Sequence, residues 1–537
     1  MEEKTVVYKE KLNTKLLKIL VKTAIIIIIC ILLFLFVMSF FYTAYFYNGS
    51  IIEYHEGLHY EPDDMRITIS GLFVVCGTML LSYKLAQKID KKIVFIISLI
   101  IIAIIGFFWI NFSKPPVKSD QKAVLTFATN FSKNNYNNLE KYGYLYSHPL
   151  QLGCVLGMEL IIRIIHSSKW IVLQNLNVVF IMICSILLYK ISEQVYQDEK
   201  NQKILSILMS MCFVLPLYSV VVYGNIYGFT FSLLAIYFLL KYYEKKNNKY
   251  LVMIPLIIGI AIMFKSNYEI CAIAILISLV LDLISKFNIK TLILIVLIIV
   301  VLFGTYPLVY KIVELRTGTR PNNGIPKITY IAMSIQAPGS RNSGWYHDSK
   351  TVETIYHGND FDSEKTVKES KEIIRNRMNE FKDNPKEAKE FYLDKIKSTW
   401  IEPAFQTFWW SEPLEEFDIQ SNEYKEYVTN NKVLLSIFHG KLHLVILRYL
   451  DMIEIIVFGL SAFSLILDLK NNTYNHKKII LVLCFLGGFL FHILWETKCI
   501  YVIPFYIMLL PSAADGISKI KIENKKNFSL KKNQNNI

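Results

Sequence analysis

The sequence predicts an all-α polytopic membrane protein with about 12–13 transmembrane helices and a mostly helical extracytoplasmic loop region. Three observations carry this. Of the 537 residues, 53% are hydrophobic and only 19% charged, against about 25% charged in ordinary soluble domains. The apolar residues gather into runs of about 20, the length an α-helix needs to cross the hydrocarbon core. The charges fall between those runs, with Lys and Arg concentrated at a few of the connections.

The first apolar run extends from Thr23 to about Tyr45 and follows Lys4, Lys9, Lys11, Lys15, Lys18 and Lys22. It is too long for a signal-peptide core and no small-residue cleavage site follows, so it reads as a first span with a cytoplasmic N-terminus. Further apolar segments fall at 67–85, 93–112, 150–165, 170–189, 204–223, 226–243, 250–264, 268–284, 291–310, 445–468, 478–495 and 499–517. Lys84, Lys88, Lys91 and Lys92 mark one inner connection. Lys241 to Lys249 mark a second, Lys470, Lys477 and Lys478 a third, and the basic tail 518–537 a fourth. Thirteen full crossings would separate the termini, yet both carry cytoplasmic charge. Segment 150–165, short and preceded by Pro149, is therefore expected to be re-entrant or to span incompletely within a protein-lined cavity. The competing reading breaks 170–189 in two.

Three regions then face outward: the acidic 46–66, the loop 113–149, and the long loop 311–444. The last holds a helix-like stretch, Asp362 to Thr399, and an aromatic cluster of Trp400, Phe405, Phe408, Trp409 and Trp410. Aromatic residues often anchor at the headgroup level, but a loop of this length is usually functional or a small domain in itself. The chain thus divides into a transmembrane module over 1–310, an extracytoplasmic domain over 311–444, C-terminal helices over 445–517 and the tail.

Composition also excludes partners. The net charge of +14 sits at helix ends and in the tail, where membrane topology places it, so nucleic acid is not implied. All eight cysteines lie in or beside apolar segments, which argues against a structural disulfide or a cysteine zinc site. His55-Glu56-Gly57-Leu58-His59 fits the zinc-protease pattern H-E-x-x-H, which needs both His on one face of a helix. Gly57 and Pro62 oppose that helix, and no third ligand stands out, so the match is taken as chance. There is no metal site in this reading, and no cofactor is required; whether a divalent metal assists is left open.

Charged residues close to hydrocarbon are the chemical candidates. Asp120, just past the third span, can act as a base toward a hydroxyl or be a solvated loop residue. Lys265 falls in a tight outer turn, where a cation suits a lipid-linked phosphate or simply snorkels to the interface. Glu496 and Lys498, with His492 before them, sit at the mouth of two apolar helices and are either functional or a structural pair.

Several stretches together resemble the GT-C superfamily of polytopic membrane glycosyltransferases, in particular its bacterial protein-mannosyltransferase-like members. They are Pro116-Val-Lys-Ser-Asp120-Gln121, Gly143-Tyr-Leu-Tyr146-Ser-His148-Pro149-Leu-Gln151-Leu-Gly153, Tyr223-Gly224-Asn225-Ile-Tyr-Gly228 and Lys265-Ser-Asn267. Gly344-Trp345-Tyr346, Trp400-Ile-Glu402-Pro403-Ala-Phe405-Gln406, Trp495-Glu496-Thr-Lys498 and Tyr501-Val-Ile-Pro504 follow in order. The resemblance implies transfer of a sugar from a polyprenyl-phosphate donor to a cell-envelope glycan or protein, on the extracytoplasmic face of the bacterial cell membrane. It implies Asp120 as the general base and Lys265, with Lys498, at the donor phosphate. Gln121, Tyr144, Tyr146, His148, Gln151, Glu402, Glu496 and Tyr501 are expected to bind substrate, and Trp409 or Trp410 to stack on sugar faces. The chain departs from the family pattern in offering Asn225 where a second acidic residue is common; Glu402 or Glu496 could take that role. It also places three apolar segments before the catalytic loop instead of one. A polysaccharide polymerase or ligase, and a flippase or transporter, are the other classes the composition admits. No internal repeat favours transport, and the motifs centre on an Asp where a polymerase would rely on outer-loop cations.

Overall fold

The computed structural model describes residues 2–46, 56–136, 138–339, 341–347, 349–412 and 426–520. Among these, each of the thirteen apolar segments forms a helix or a bent helix pair. Eight are long and apolar enough to cross a membrane: α1 (Glu2–Phe41, apolar from Leu17), α2 (Met65–Ala86), α3 (Lys91–Ser113), α7 (Trp170–Tyr196), α10 (Gly224–Lys245), α12 (Glu269–Ser285), α13 (Ile289–Thr317) and α20 (Lys441–Asn471). Two more candidate spans are bent. The first joins α8 (Glu199–Met211) to α9 (Val214–Leu217) at 53°, and the second joins α22 (Cys499–Ile507) to α23 (Leu510–Ser518) at 43°. Pro216 and Pro511 lie just past these bends, where a missing N–H and a blocked preceding carbonyl favour a break. The remaining three are shorter: α6 (Leu152–Ile165), α11 (Lys249–Phe264) and α21 (Ile480–Leu494). The expected twelve to thirteen spans thus divide into eight to ten by length and composition, with the two short apolar helices α11 and α21 beside them and the 14-residue α6 a third short helix.

The helix ends sort into two sets. At one, lysines from different connections are locked to acids: Lys91 to Glu193 at 2.7 Å, Lys246 to Asp282 at 2.7 Å, and Lys478 and Lys519 to Asp468 at 2.7 and 2.8 Å. The other end carries every large connection. Helix α6 belongs entirely to it. Its first turn packs on the end of α11, Glu159 pairs with Arg316 in the last turn of α13 at 2.8 Å, and Arg163 reaches the Phe131 carbonyl at 3.1 Å. With 14 residues it is about 21 Å long, too short for a core of about 30 Å. Both its halves pack at this end of the bundle. Leu160 and Ile164 stay exposed on its outer side.

Two features of the connecting regions differ from expectation. The stretch 42–62 contains a two-stranded antiparallel hairpin, β1 (Tyr42–Phe46) with β2 (Leu58–Pro62), in the register Tyr42 to Pro62 and Phe46 to Leu58. Apolar and polar residues alternate in Leu58-His-Tyr-Glu, a period of two. His59 is therefore on a strand, not on the helix that H-E-x-x-H requires, and His55 lies outside the described residues. Among the described residues no three His, Cys, Asp or Glu side chains gather to hold a metal. The helix-like stretch 362–399 is two helices, α16 (Ser363–Asp383) and α17 (Pro385–Trp400), because Pro385 ends the first and starts the second while Asn384 caps it.

Helices α14 (Lys327–Ser334) and α15 (Val352–Gly358) precede that pair. They build a satellite core of Ile325, Met333, Val352, Tyr356 and Phe361, against which Tyr146, Tyr330 and Tyr346 pack. Two short helices, α18 (Thr407–Ser411) and α19 (Lys432–His439), complete the layer. The layer's first part holds α4 (Ser119–Ser132) and α5 (Tyr144–Ser147). Asp120, His148 and Glu353 belong to this layer, and Lys265 and Glu496 to the helix ends against it.

Candidate functional site

Asp120 lies in the first turn of α4, where the helix N-terminus favours a negative charge. Its side chain is exposed. The Tyr144 hydroxyl lies within reach of it, and burial together with the Asp120 charge raises the Tyr144 phenol well above its ordinary range. Gln121, one position on, turns the other way: it is buried, and its Oε1 accepts the Val222 N–H at 2.7 Å. It is occupied with tying α4 to the turn before α10.

That turn brings up the cation. A Cβ on Gly224 would lie 1.9 Å from the Phe264 carbonyl oxygen, so only glycine lets the start of α10 close on the end of α11. Lys265 caps α11 at this contact. Its ammonium sits 3.8 Å from the Tyr223 ring centroid and 5.4 Å from that of Tyr501, a cation–π cradle. Among the described residues no carboxylate lies within ion-pair distance of it, although Asp120 and Glu496 both act on its charge. Burial brings its pKa down to about 8. Asn225, where an acid is common in the resembling family, is buried with its side-chain oxygen unpartnered.

Glu496 sits in the turn between α21 and α22. Burial raises its carboxyl to about 7, against the lowering influence of Lys498; Asp120, Glu353 and Lys265 are also within electrostatic reach. Lys498 has a different occupation. Its ammonium is 2.6 Å from Glu56, which also holds Arg341 at 3.0 Å and the Gln406 amide at 2.9 Å. These contacts hold the Glu56 carboxyl below its ordinary range against the effect of burial. Arg341 is bound to this hub as well.

The other expected residues divide between this cluster and the packing around it. His148 sits between Glu353, at 2.9 Å from Nε2, and the Tyr330 hydroxyl, at 3.2 Å from Nδ1. The Tyr144 ring lies 4.7 Å from the imidazole. Tyr501 joins through its contact with Lys265. Tyr146 points to the satellite core, 5.7 Å from Phe361, and Gln151 lies in the turn entering α6. Glu402 is 2% exposed, and its oxygens accept the N–H groups of Ala404 and Gln406, which brace a turn with left-handed Phe405 and Gln406. Burial raises it to about 7. Trp409 and Trp410 are 6% and 8% exposed. The Trp409 ring packs near Phe46, and its carbonyl accepts a hydrogen bond from Lys118 at 2.5 Å. The structure therefore gathers Asp120, Tyr144, His148, Lys265, Glu496 and Tyr501, and sets Gln121, Glu402, Trp409 and Trp410 into buried contacts.

Sequence reasoning missed Glu56, Glu353, Tyr330 and Lys395. Lys395 is 1% exposed, with its ammonium on the Ser334 carbonyl at 3.3 Å and within reach of Glu496. Burial brings it down to about 7. Its position in the amphipathic α17 offered no signal. Glu56 stood out in the sequence only as part of the H-E-x-x-H match, which does not point to its pairing with Lys498 and Arg341.

Fold and cluster together define a multi-pass all-α membrane protein whose ionisable residues converge at one end of the helix bundle. Residues 148–310 match the dolichyl-phosphate-mannose-protein mannosyltransferase family. That match runs from His148 through α13 and includes Lys265. It supports a membrane glycosyltransferase of the GT-C type, in line with the sequence resemblance. No curated protein and no solved structure matches the chain.

Proposed function

We propose that the protein transfers a sugar from a polyprenyl-phosphate-linked donor to a cell-envelope glycan or protein, on the extracytoplasmic face of a bacterial plasma membrane, with both termini in the cytoplasm. The single observation that carries this is the meeting, at one helix-bundle end, of an exposed carboxylate at a helix N-terminus with a cation that no carboxylate among the described residues pairs. Asp120 takes the proton from an acceptor hydroxyl as its oxygen attacks the anomeric carbon. The bond from that carbon to the phosphate oxygen breaks, and polyprenyl phosphate leaves with the electron pair. Its charge is met by Lys265, which the Tyr223 and Tyr501 rings aim without consuming its charge. Substrate and base are held in one place, so the attack becomes effectively unimolecular. Inversion at the anomeric carbon follows from a single displacement. Lys498 contributes field more than contact, since Glu56 already holds it.

The orientation is supported by the lysine-rich end opposite the cluster, the arrangement the positive-inside rule associates with the cytoplasm. Reconstitution tests the proposal. Proteoliposomes containing the protein and a radiolabelled polyprenyl-phosphoryl sugar are incubated with cell-envelope acceptor fractions, and label is followed from lipid to acceptor. Transfer that depends on the protein is expected. Intact labelled lipid with every acceptor fraction, in vesicles of either orientation, would refute it.

A further inference from the structure

The contact between Glu353 and His148 joins two parts of the chain that nothing in the sequence pairs. Glu353 stands in α15, inside the long loop, and both its oxygens are engaged: Oε1 with His148 Nε2 at 2.9 Å, and Oε2 with the Tyr346 hydroxyl at 2.9 Å. The ion pair and hydrogen bond to His148 hold the Glu353 carboxyl down to about 2, against the effect of burial. The backbone beside it is equally committed. The Ile325 N–H donates to the Ser147 carbonyl at 2.9 Å. Gly324, at φ +69°, lies so close to Pro149 that a Cβ there would be 2.2 Å from the ring. The loop is therefore seated flush on residues 147–149.

The imidazole this clasp immobilises has a second face. The Tyr144 ring packs at 4.7 Å and a 37° tilt to it, and the Tyr144 hydroxyl lies within reach of the Asp120 carboxylate. Phe127 also stacks on Tyr144, with centroids 5.6 Å apart. A tyrosine held by two rings keeps one hydroxyl direction. If the imidazole swings, Tyr144 loses a wall and its hydroxyl loses its aim.

We propose that Glu353 and His148 are positioning residues for the transfer reaction: the long loop, through Glu353, fixes His148, and His148 fixes the Tyr144 hydroxyl on Asp120. This rests on the reading of Asp120 as the base. The loop thereby does more than present an acceptor: its docking completes the environment of the catalytic carboxylate 233 residues earlier in the chain.

The experiment uses the full chain in proteoliposomes. Glu353→Gln, which keeps shape and removes charge, Tyr144→Phe, and the double variant are compared in a cycle. Each single change is expected to lower kcat by about tenfold or more while donor KM stays within about threefold. The double variant is expected to be no worse than the poorer single. A fluorine resonance from 3-fluorotyrosine at position 144 reports the coupling without turnover. It is expected to move in both Asp120→Asn and Glu353→Gln, with Glu353→Asp keeping much of the wild-type shift. Multiplicative losses in the cycle, or a fluorine resonance indifferent to Glu353→Gln, would overturn the proposal. If Asp120→Asn retains full transfer while the fluorine resonance still follows Glu353, the base assignment fails and the positioning of Tyr144 stands.

Discussion

Lys265 makes the sharpest quantitative prediction, because burial has moved its titration into an accessible range. The ammonium is proposed to meet the donor phosphate, and its pKa lies at about 8 in the unliganded protein. The sign follows directly: a lysine lowered by burial is charged below that value and neutral above it. At pH 7 about nine molecules in ten carry the charge; at pH 9 only about one in eleven does. Between pH 7 and 9, kcat/KM for the lipid donor should therefore fall about tenfold, mostly through KM. Lys265→Arg should abolish that fall, since a guanidinium stays charged throughout and can rest on the Tyr223 ring as well. Lys265→Ala should raise donor KM by about thirtyfold, the equivalent of about 2 kcal/mol for a lost charge-assisted contact. The assay is initial-rate transfer from a defined polyprenyl-phosphoryl sugar in detergent micelles across that pH range. A wild-type profile flat to pH 9, or an equal decline in Lys265→Arg, would refute the placement of Lys265 at the phosphate.

Three other expectations concern neighbouring groups. Glu496 is raised to about 7 from 4.5, so between those values the unfolded chain ionises while the folded one does not. Its contribution to stability is whole below 4.5 and disappears as pH rises to 7, and Glu496→Gln should flatten the melting temperature over that window. Glu56→Gln should strip Lys498 and Arg341 of their common partner and destabilise the protein by about 3 kcal/mol, read as a lowered midpoint of thermal unfolding; an unchanged midpoint would show that the hub is not structural. Gly224→Ala should prevent the α10–α11 approach, reducing both the folded yield and the affinity for donor, and normal yield with normal donor KM would contradict the close contact at Phe264.

How far the sequence revealed this arrangement depends on the range of the interaction. Spans of Ile, Leu and Phe declare themselves because hydrocarbon demands continuous apolar length, and every such run became a helix or a bent pair. A parity conflict at segment 150–165 was visible in the sequence, whereas the contacts of Glu159 and Arg163 that hold its helix at one end of the bundle were not. Asp120, Lys265 and Glu496 were visible because charge at a helix end near lipid is unusual. Their partners were not. Glu353 meets His148 across 205 positions, and Glu56 meets Lys498 across 442; neither contact leaves a local pattern. Trp409 and Trp410 illustrate the converse. An aromatic cluster in an outer loop suggests sugar stacking, but the sequence did not show that Phe46 of the hairpin and Lys118 would pack on Trp409 and that both rings would be buried. The hairpin itself was hidden because a few alternating residues beside a long helix carry too little periodicity to read.

The central claim is that Asp120 removes the acceptor proton, and Asp120→Asn tests it most directly. Asparagine keeps the size and place of the side chain and cannot accept a proton. Single-turnover release of polyprenyl phosphate from a labelled lipid-linked sugar, with acceptor present, is to be measured for wild-type and variant protein purified to the same monodispersity and melting temperature. The rate is expected to fall by at least about a hundredfold with donor binding preserved. A variant that folds, binds donor and releases polyprenyl phosphate at the wild-type rate would contradict it.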